Sequence, residues 1–477
     1  MNRPIRKVAV LAALMVFALL ANASWLEIGR AQTLNGDTRN RRVTDAEYAR
    51  NRGPIMVGTQ AIAQSVPSTG RFAFARTYPQ PLLYAHVTGF YAYDFGSAGI
   101  ELNYSKQLAG TSDDQFFTRI VDALTGKDPA GGSVTTTIDP RAQQAAYDGL
   151  AGRKGAVAAI NWATGEVLAY VSLPTYDPNA LSSTDLNVAR EAWESLNNDP
   201  NRPLANRASR EIYPPGSTFK IITAAAALED GTAPDTLWDA PAELRLPLTN
   251  TVLTNQVDCG DGQVTLEFSL INSCNTSFAN IGMQLGADKL RAQAEKFGFN
   301  NQNLATDVPW SASKFPTELD SPQTALSAIG QFDVAATPLQ MAMVIGAVAN
   351  DGQVMQPHLV KEVRANDLSI VHVNRPVRLE KAMSTGNAEL LQEMLVKVVN
   401  EGTGSAAKVD GARVGGKTGT AQSDPDRPPY AWFVAFSENP DIAVAVFIED
   451  AEVERNDIAG GRLAGPIAKA VIEALRP

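Results

Sequence analysis

The chain has little with which to hold a metal or a nucleic acid. Among its 477 residues are 3 histidines and 2 cysteines, whereas a zinc site takes four closely grouped ligands, or three and a water. His86, His358 and His372 are scattered, and each reads as a satisfied structural residue, so a Ser-His-Asp hydrolase is a poor fit. No metal and no cofactor is expected. Positive charge is also short: 41 Lys and Arg against 51 Asp and Glu leave a formal net charge of −10. That sign does not suit nucleic acid or an anionic membrane surface. No internal repeat, low-complexity tract or amphipathic C-terminal tail is visible, which sets aside solenoids and a second membrane contact.

Long apolar runs are missing except for one. Residues 8–21 are unbroken and apolar, extended less cleanly through Trp25 and Leu26, and Arg3, Arg6 and Lys7 precede them. A helix of that extent spans roughly 28 Å, about a bilayer core. Positive charge ahead of it keeps the N-terminus in the cytoplasm and sends the rest outside. Ala21-Asn22-Ala23 also has the small-x-small form of a signal cleavage site, and both readings place the body outside the cytoplasm. There a bond between Cys259 and Cys274 would persist. It would close a loop of about 15 residues and contribute about 3 kcal/mol by chain entropy. The alternative is two buried, unpaired thiols.

The body has an ordinary globular balance, 44% hydrophobic and 19% charged, and a length that suggests two or three domains. Its organising stretch is Tyr213-Pro214-Pro215-Gly216-Ser217-Thr218-Phe219-Lys220. The prolines interrupt any preceding helix and Gly216 allows a sharp turn, after which residues 219–229 read as a buried helix ended by Asp230-Gly231. Ser217 is then in the first helical turn, open to solvent, with Lys220 on the same face. A serine needs an adjacent base, and a desolvated neutral lysine can serve. Ser-x-x-Lys alone is a weak signal, since Ser311…Lys314 and Ser405…Lys408 repeat it. Only Ser217 is followed in order by Ser273-Cys274-Asn275 and then Lys417-Thr418-Gly419-Thr420.

These three motifs, in this order, resemble those of the penicillin-binding proteins, with Cys274 in place of the usual middle Asp. Pro203 to Ala208, Gly330-Gln331 and Thr337 to Ala342 add to the likeness, as do Arg52 to Ile55, Arg71 to Phe74, Tyr78-Pro79, Tyr84 to Tyr91 and Gly99 to Glu101. Within that family the resemblance is to the class B transpeptidases. It implies an α/β fold: a serine β-lactamase-like transpeptidase domain with an antiparallel central sheet and helices on both sides, a small β-rich pedestal and one membrane-anchor helix. The expected division is 1–29 for tail and anchor, 30–132 for a non-catalytic pedestal and 133–477 for the transpeptidase domain, with the turn-rich junction around Asp128-Pro129. A pedestal of about a hundred residues is too short for a glycosyltransferase.

The resemblance also implies roles. Ser217 attacks the carbonyl between two terminal D-alanines, and Lys220 takes its proton. Lys417 is a second cation, and Ser273, bridging the lysines, passes a proton to the leaving D-alanine. Asn275 holds Lys220 and the substrate amide, and Thr418, Gly419 and Thr420 bind the substrate. The backbone N–H groups of Ser217 and Thr420 form the oxyanion hole. Implied partners are the D-Ala-D-Ala stem peptides of peptidoglycan, β-lactam antibiotics, the membrane through the N-terminal helix, and the cell-wall synthesis machinery of cell shape and division. The rival readings are a β-lactamase, a D,D-carboxypeptidase, or a scaffold or β-lactam sensor with a vestigial site.

Elsewhere, residues 134–139 read as a β-branched strand and 143–150 as a helix. Residues 155–160 and 166–171 form a hairpin in a sheet covered on both faces. Residues 266–299 are helical, broken at an exposed turn at Ser273 to Asn275. A helix runs from Thr337 to Asn350 with a Met and Ala stripe in the core. Residues 430–436 and 442–448 are adjacent antiparallel strands beside the one carrying Lys417, and 463–475 is a terminal helix.

Overall fold

Arg3–Ser24 forms α1, a helix with no buried residue. Pro4 sits in its first turn and no glycine or proline interrupts it afterwards, so propensity and composition agree. With the π-helical turn Trp25–Gly29 it makes a span long and apolar enough to cross a membrane. Exposed Leu, Val and Phe along its whole length are costly in water, and a bilayer removes that cost. The computed structural model describes residues 3–30, 45, 47–69, 71–115, 130–260, 262–422, 427–451, 453–455 and 458–476. Met1, Asn2 and the expected junction at Asp128 and Pro129 lie outside the described residues.

Three short strands follow, β1 (Ile55–Val57), β2 (Gln60–Pro67) and β3 (Phe74–Thr77), with α2 (Pro81–Thr88) after them. Arg52 and Arg76 converge on the fully buried Glu101, with Arg52 Nε and Arg76 Nε each 2.6 Å from a carboxylate oxygen. A paired and hydrogen-bonded charge of this kind is tolerable in the interior; a lone one is not. Next comes β4 (Ser133–Thr136), which pairs in parallel with β1, Ile55 opposite Val134. This sheet therefore continues past residue 132, where the sequence puts the start of the transpeptidase domain. A β-branched run announces a strand but not its neighbours.

The chain then lays down α3 (Pro140–Leu150), β5 (Gly155–Ile160), β6 (Val167–Leu173) and, after the Tyr213 to Phe219 segment, α4 (Lys220–Glu229). The long helical region is divided into Leu266–Ile271, α5 (Asn275–Leu285) and Ala287–Lys296, with Gly286 at the second break. Pro338–Ala349 forms α6, all twelve residues buried. Val360–Arg364 (β7) and Ile370–Val373 (β8) complete the first sheet, whose order is β8-β7-β4-β1-β2-β3. After α7 (Thr385–Asn400) come β9 (Val414–Ala421), β10 (Tyr430–Glu438), β11 (Asp441–Ile448) and α8 (Gly465–Ala474).

The second sheet has the order β9-β10-β11-β5-β6 and is antiparallel throughout. Its strands are apolar on both faces because both are covered. Ala146, Leu150, Ile467 and Val471 of α3 and α8 pack on one face with Val157, Val444 and Val446. On the other, α6 with Met341 and Ile345 packs against β5 and β11, in a core that also holds Ala158, Ala445 and Phe447 and that α4 joins. β9 is an edge strand, so one of its sides is left for something other than a strand.

Candidate active site

The nucleophile segment is pinned before it turns. Tyr213 exchanges two backbone hydrogen bonds with Ala336, at 2.9 and 2.8 Å, and Gly216 N donates to Gly330 O at 3.0 Å. Trp432 Nε1 donates to Pro214 O at 3.0 Å, and Thr218 Oγ1 to Pro215 O at 2.8 Å. Gly216 has φ +53°, a left-handed conformation that glycine adopts without strain. The segment Gly216–Phe219 is a 3₁₀ turn, and the α-helix begins only at Lys220. In a 3₁₀ turn residues i and i+3 eclipse, so Ser217 and Lys220 share a side more closely than in an α-helix. Ser217 is 9% exposed, on the floor of a cleft and not out in solvent.

Lys220 and Lys417 are both fully buried, an arrangement that removes water from two ammonium groups. Burial, with the charge of Lys417 beside it, drives the Lys220 amine well below its ordinary pKa, and burial alone brings Lys417 down to about 7. Lys220 Nζ donates to Ser273 O and to Asn275 Oδ1, each at 2.7 Å, and lies 3.4 Å from Ser273 Oγ. A neutral amine has two N–H donors and one lone pair. The two short bonds use both donors, which leaves the lone pair for a hydroxyl proton. Among the described residues Lys220 makes no hydrogen bond to Ser217, and Lys417 Nζ bonds Thr418 O at 3.3 Å and Thr418 Oγ1 at 3.5 Å, not Ser273.

The turn that carries Ser273 and Asn275 is half-buried, not exposed as its position between helices suggests. Ser273 has φ +60°, uncommon for a residue with a side chain. Cys274 is the N-cap of α5 and makes no side-chain cap. Asn255 replaces it, accepting from Asn275 N at 2.7 Å and Thr276 N at 3.1 Å. Cys259 and Cys274 are disulfide-bonded, which ties the loop holding Asn255 to the turn it caps.

On the opposite wall, β9 carries Lys417, Thr418, Gly419 and Thr420. A side chain on Gly419 would meet Thr218 Cγ2 at 2.9 Å and Pro215 O at 3.0 Å, so the strand approaches the nucleophile turn only as glycine. Thr418 Oγ1 shares a hydrogen bond of 2.9 Å with Thr403 Oγ1. Ser217, Ser273, Thr418 and Thr420 all line one cleft of about 770 Å³. Of the other two Ser-x-x-Lys copies, Ser311 is apart from the cleft and Lys314 pairs with Asp333, while Ser405 lines it with Lys408 turned to solvent. Among the described residues no cluster of three metal-ligating side chains is present. His86 is buried against Tyr176 and pushed down to about 4 by burial.

Asn255 and Thr403 are the site residues that sequence motifs miss. Each sits in an ordinary loop, and only its distant partner gives it meaning.

A helix-opening serine, a buried lysine pair and a glycine-bearing edge strand around one cleft define a serine acyltransferase of the β-lactam-recognising class. Residues 155–473 match the penicillin binding protein transpeptidase domain, and residues 52–134 match the penicillin binding protein A dimerisation domain. The chain belongs to the penicillin-binding protein transpeptidase family. It is 41% identical to the peptidoglycan D,D-transpeptidase PbpA of Mycolicibacterium smegmatis and 40% identical to that of Mycobacterium tuberculosis, each time over 99% of both chains. Among solved structures, penicillin-binding protein A of M. tuberculosis as its penicillin G acyl-enzyme complex matches with a TM-score of 0.84 at 40% identity, covering 89% of this chain and 99% of that one. Its imipenem acyl-enzyme complex matches with a TM-score of 0.85 at 39% identity, over 90% and 99%.

Proposed function

We propose that Ser217 is the acylated nucleophile of this transpeptidase and Lys220 its base. The chain is a peptidoglycan D,D-transpeptidase that β-lactams acylate. The observation that carries the residue assignment is the Lys220 amine, buried, driven toward its neutral form, and with both N–H groups occupied by Ser273 O and Asn275 Oδ1. Its free lone pair then accepts the Ser217 proton as Oγ attacks the carbonyl of the penultimate D-alanine. The tetrahedral oxygen is held by the N–H groups of Ser217 and Thr420, donors worth about 3 to 4 kcal/mol each in comparable sites. Collapse breaks the peptide bond, and Ser273 hands the departing D-alanine its proton and is reprotonated by the Lys220 ammonium, whose Nζ lies 3.4 Å from Ser273 Oγ, so that Lys220 is neutral again. An acceptor amine then attacks the acyl carbon, its proton passes through Lys220 to Ser217 Oγ, and the Oγ–acyl bond breaks to restore Ser217. Thr418, with Thr403 and Lys417 behind it, takes the donor's terminal carboxylate, and Gly419, by letting β9 close on the Ser217 turn, keeps the donor-binding edge beside the nucleophile. A β-lactam stalls this cycle because its leaving group stays tethered.

The remaining assignments follow from the same reading. The N-terminal helix anchors the chain with Arg3, Arg6 and Lys7 on the cytoplasmic side, so the cleft faces the wall outside. Residues 30–132 are a non-catalytic pedestal and 133–477 the transpeptidase domain, beside cell-wall synthesis machinery. The test is a donor pentapeptide ending in D-Ala-D-Ala with an amine acceptor. The expected products are free D-alanine and the cross-linked peptide, absent in Ser217→Ala. Tetrapeptide alone would favour a carboxypeptidase, and unchanged wall synthesis in cells carrying Ser217→Ala would favour a scaffold.

A further inference from the structure

Glu449 follows the last residue of β11, and its side chain is 8% exposed. Three cations from three parts of the chain meet its carboxylate. Arg207 Nε lies 2.7 Å from Oε2, and Lys154 Nζ and Arg427 Nη2 lie 3.1 and 3.2 Å from Oε1. Burial acts to protonate the group, but Arg207 and Lys154 outweigh it and hold its pKa below the usual carboxylate range.

The three arms differ in what they anchor. Lys154 adjoins β5, and its backbone oxygen already accepts from Glu449 N at 2.7 Å, so that arm repeats a tie the sheet makes. Arg207 is 1% exposed in the segment leading to Ser217, and it also donates to Asn201 O at 2.8 Å and Arg202 O at 3.2 Å. Arg427 is different. It stands two residues before Pro429, which leads into β10 and lines the cleft. Its backbone oxygen accepts from Arg455 Nη1 at 3.2 Å, and Arg455 lines the cleft too.

Direction along β9 gives this wall a role. The strand runs from Thr418, which bonds Thr403, toward Gln422. With the donor's carboxylate at Thr418, the part of the donor upstream of the scissile bond leaves toward Gln422 and Pro429. We propose that Glu449, acting through Arg427, is a positioning residue that sets this wall against the upstream part of the donor peptide, or against the acyl side chain of a penicillin. The inference rests on the assignment of Thr418 to the terminal carboxylate made above.

Benzylpenicillin and 6-aminopenicillanic acid share the lactam and the carboxylate and differ in the acyl side chain, so comparing them isolates the wall. Acylation of the full chain is measured with each, resolved into the binding constant and the acylation step. Arg427→Met is expected to slow benzylpenicillin roughly three- to five-fold through binding, the size of one partly exposed ion pair, and to leave 6-aminopenicillanic acid unchanged. Lys154→Met is expected to change neither. Glu449→Gln should reproduce the Arg427→Met selectivity, and because it also strands Arg207, Arg427→Met is the variant that decides if the glutamine form does not fold. An equal loss for both penicillins in Arg427→Met, no loss for either, or the same selective loss in Lys154→Met overturns the proposal. Failure of the unmutated chain to be acylated by either compound would instead overturn the Ser217 assignment.

Discussion

Asn275 Oδ1 stands 2.7 Å from Lys220 Nζ, and its Nδ2 donates to Thr254 O at 2.9 Å, so the carboxamide is fixed with its oxygen toward the amine. An acceptor in that place holds an N–H without donating a proton to the lysine. Asn275→Ala leaves one buried N–H of Lys220 unmatched, at a cost of about 1–3 kcal/mol. The expected result is slower acylation together with a lower unfolding free energy, read by stopped-flow acylation and chemical denaturation.

Lys220→Met removes the base and keeps the length of the side chain. Loss of a general base typically costs 10²- to 10⁴-fold, so benzylpenicillin acylation should fall by roughly that factor. The fold should be retained or strengthened, because a buried amine is exchanged for an apolar group. Circular dichroism and thermal melting separate the two effects.

The lysine pair sets the pH dependence. Acylation should rise as pH increases through the range in which the Lys220 amine loses its proton. Lys417 contributes to the depression of Lys220. Lys417→Met is therefore expected to raise the pKa of Lys220 and move the rising limb to higher pH. Stability follows the same sign. Lys417 has a folded pKa of about 7 against an ordinary 10.5, so the unfolded chain binds more protons between those values and folding is favoured increasingly as pH rises through that window. The variant should lose that portion of the slope in denaturation measured from pH 7 to 10.

The disulfide joins two levels of the structure. Cys259→Ser with Cys274→Ser should lower the unfolding free energy by about 3 kcal/mol, and it also frees the loop whose Asn255 caps α5. Acylation should slow as well, since Ser273 and Asn275 are the residues that hold Lys220. Rates equal to the unmutated chain would show that the turn keeps its form unaided.

Much of this was legible in the amino acids. The apolar runs of β10 and β11 and α6, apolar but for Gln340, announce elements buried on every side, and the order of Ser217, Ser273 and Lys417 announces the candidate site. What stayed hidden depends on distant partners. Thr135 reads as a strand residue, but nothing local says that β4 pairs with β1 and β7. Ser217 reads as helical because its neighbours after Phe219 are helix formers, whereas Gly216 and its bond to Gly330 wind that turn as 3₁₀. Asn255, 20 positions before the amide it caps, and Thr403, 15 before the hydroxyl it meets, carry no local pattern at all.

The most direct measurement is peptide-mapped mass spectrometry of the full chain after benzylpenicillin, sampled over an hour. The account predicts one penicilloyl group on Ser217, persisting for many minutes and absent from Ser217→Ala. Label on another residue, such as Ser405, would contradict the assignment of the nucleophile, and rapid loss of the label with turnover of the drug would contradict the transpeptidase reading in favour of a β-lactamase.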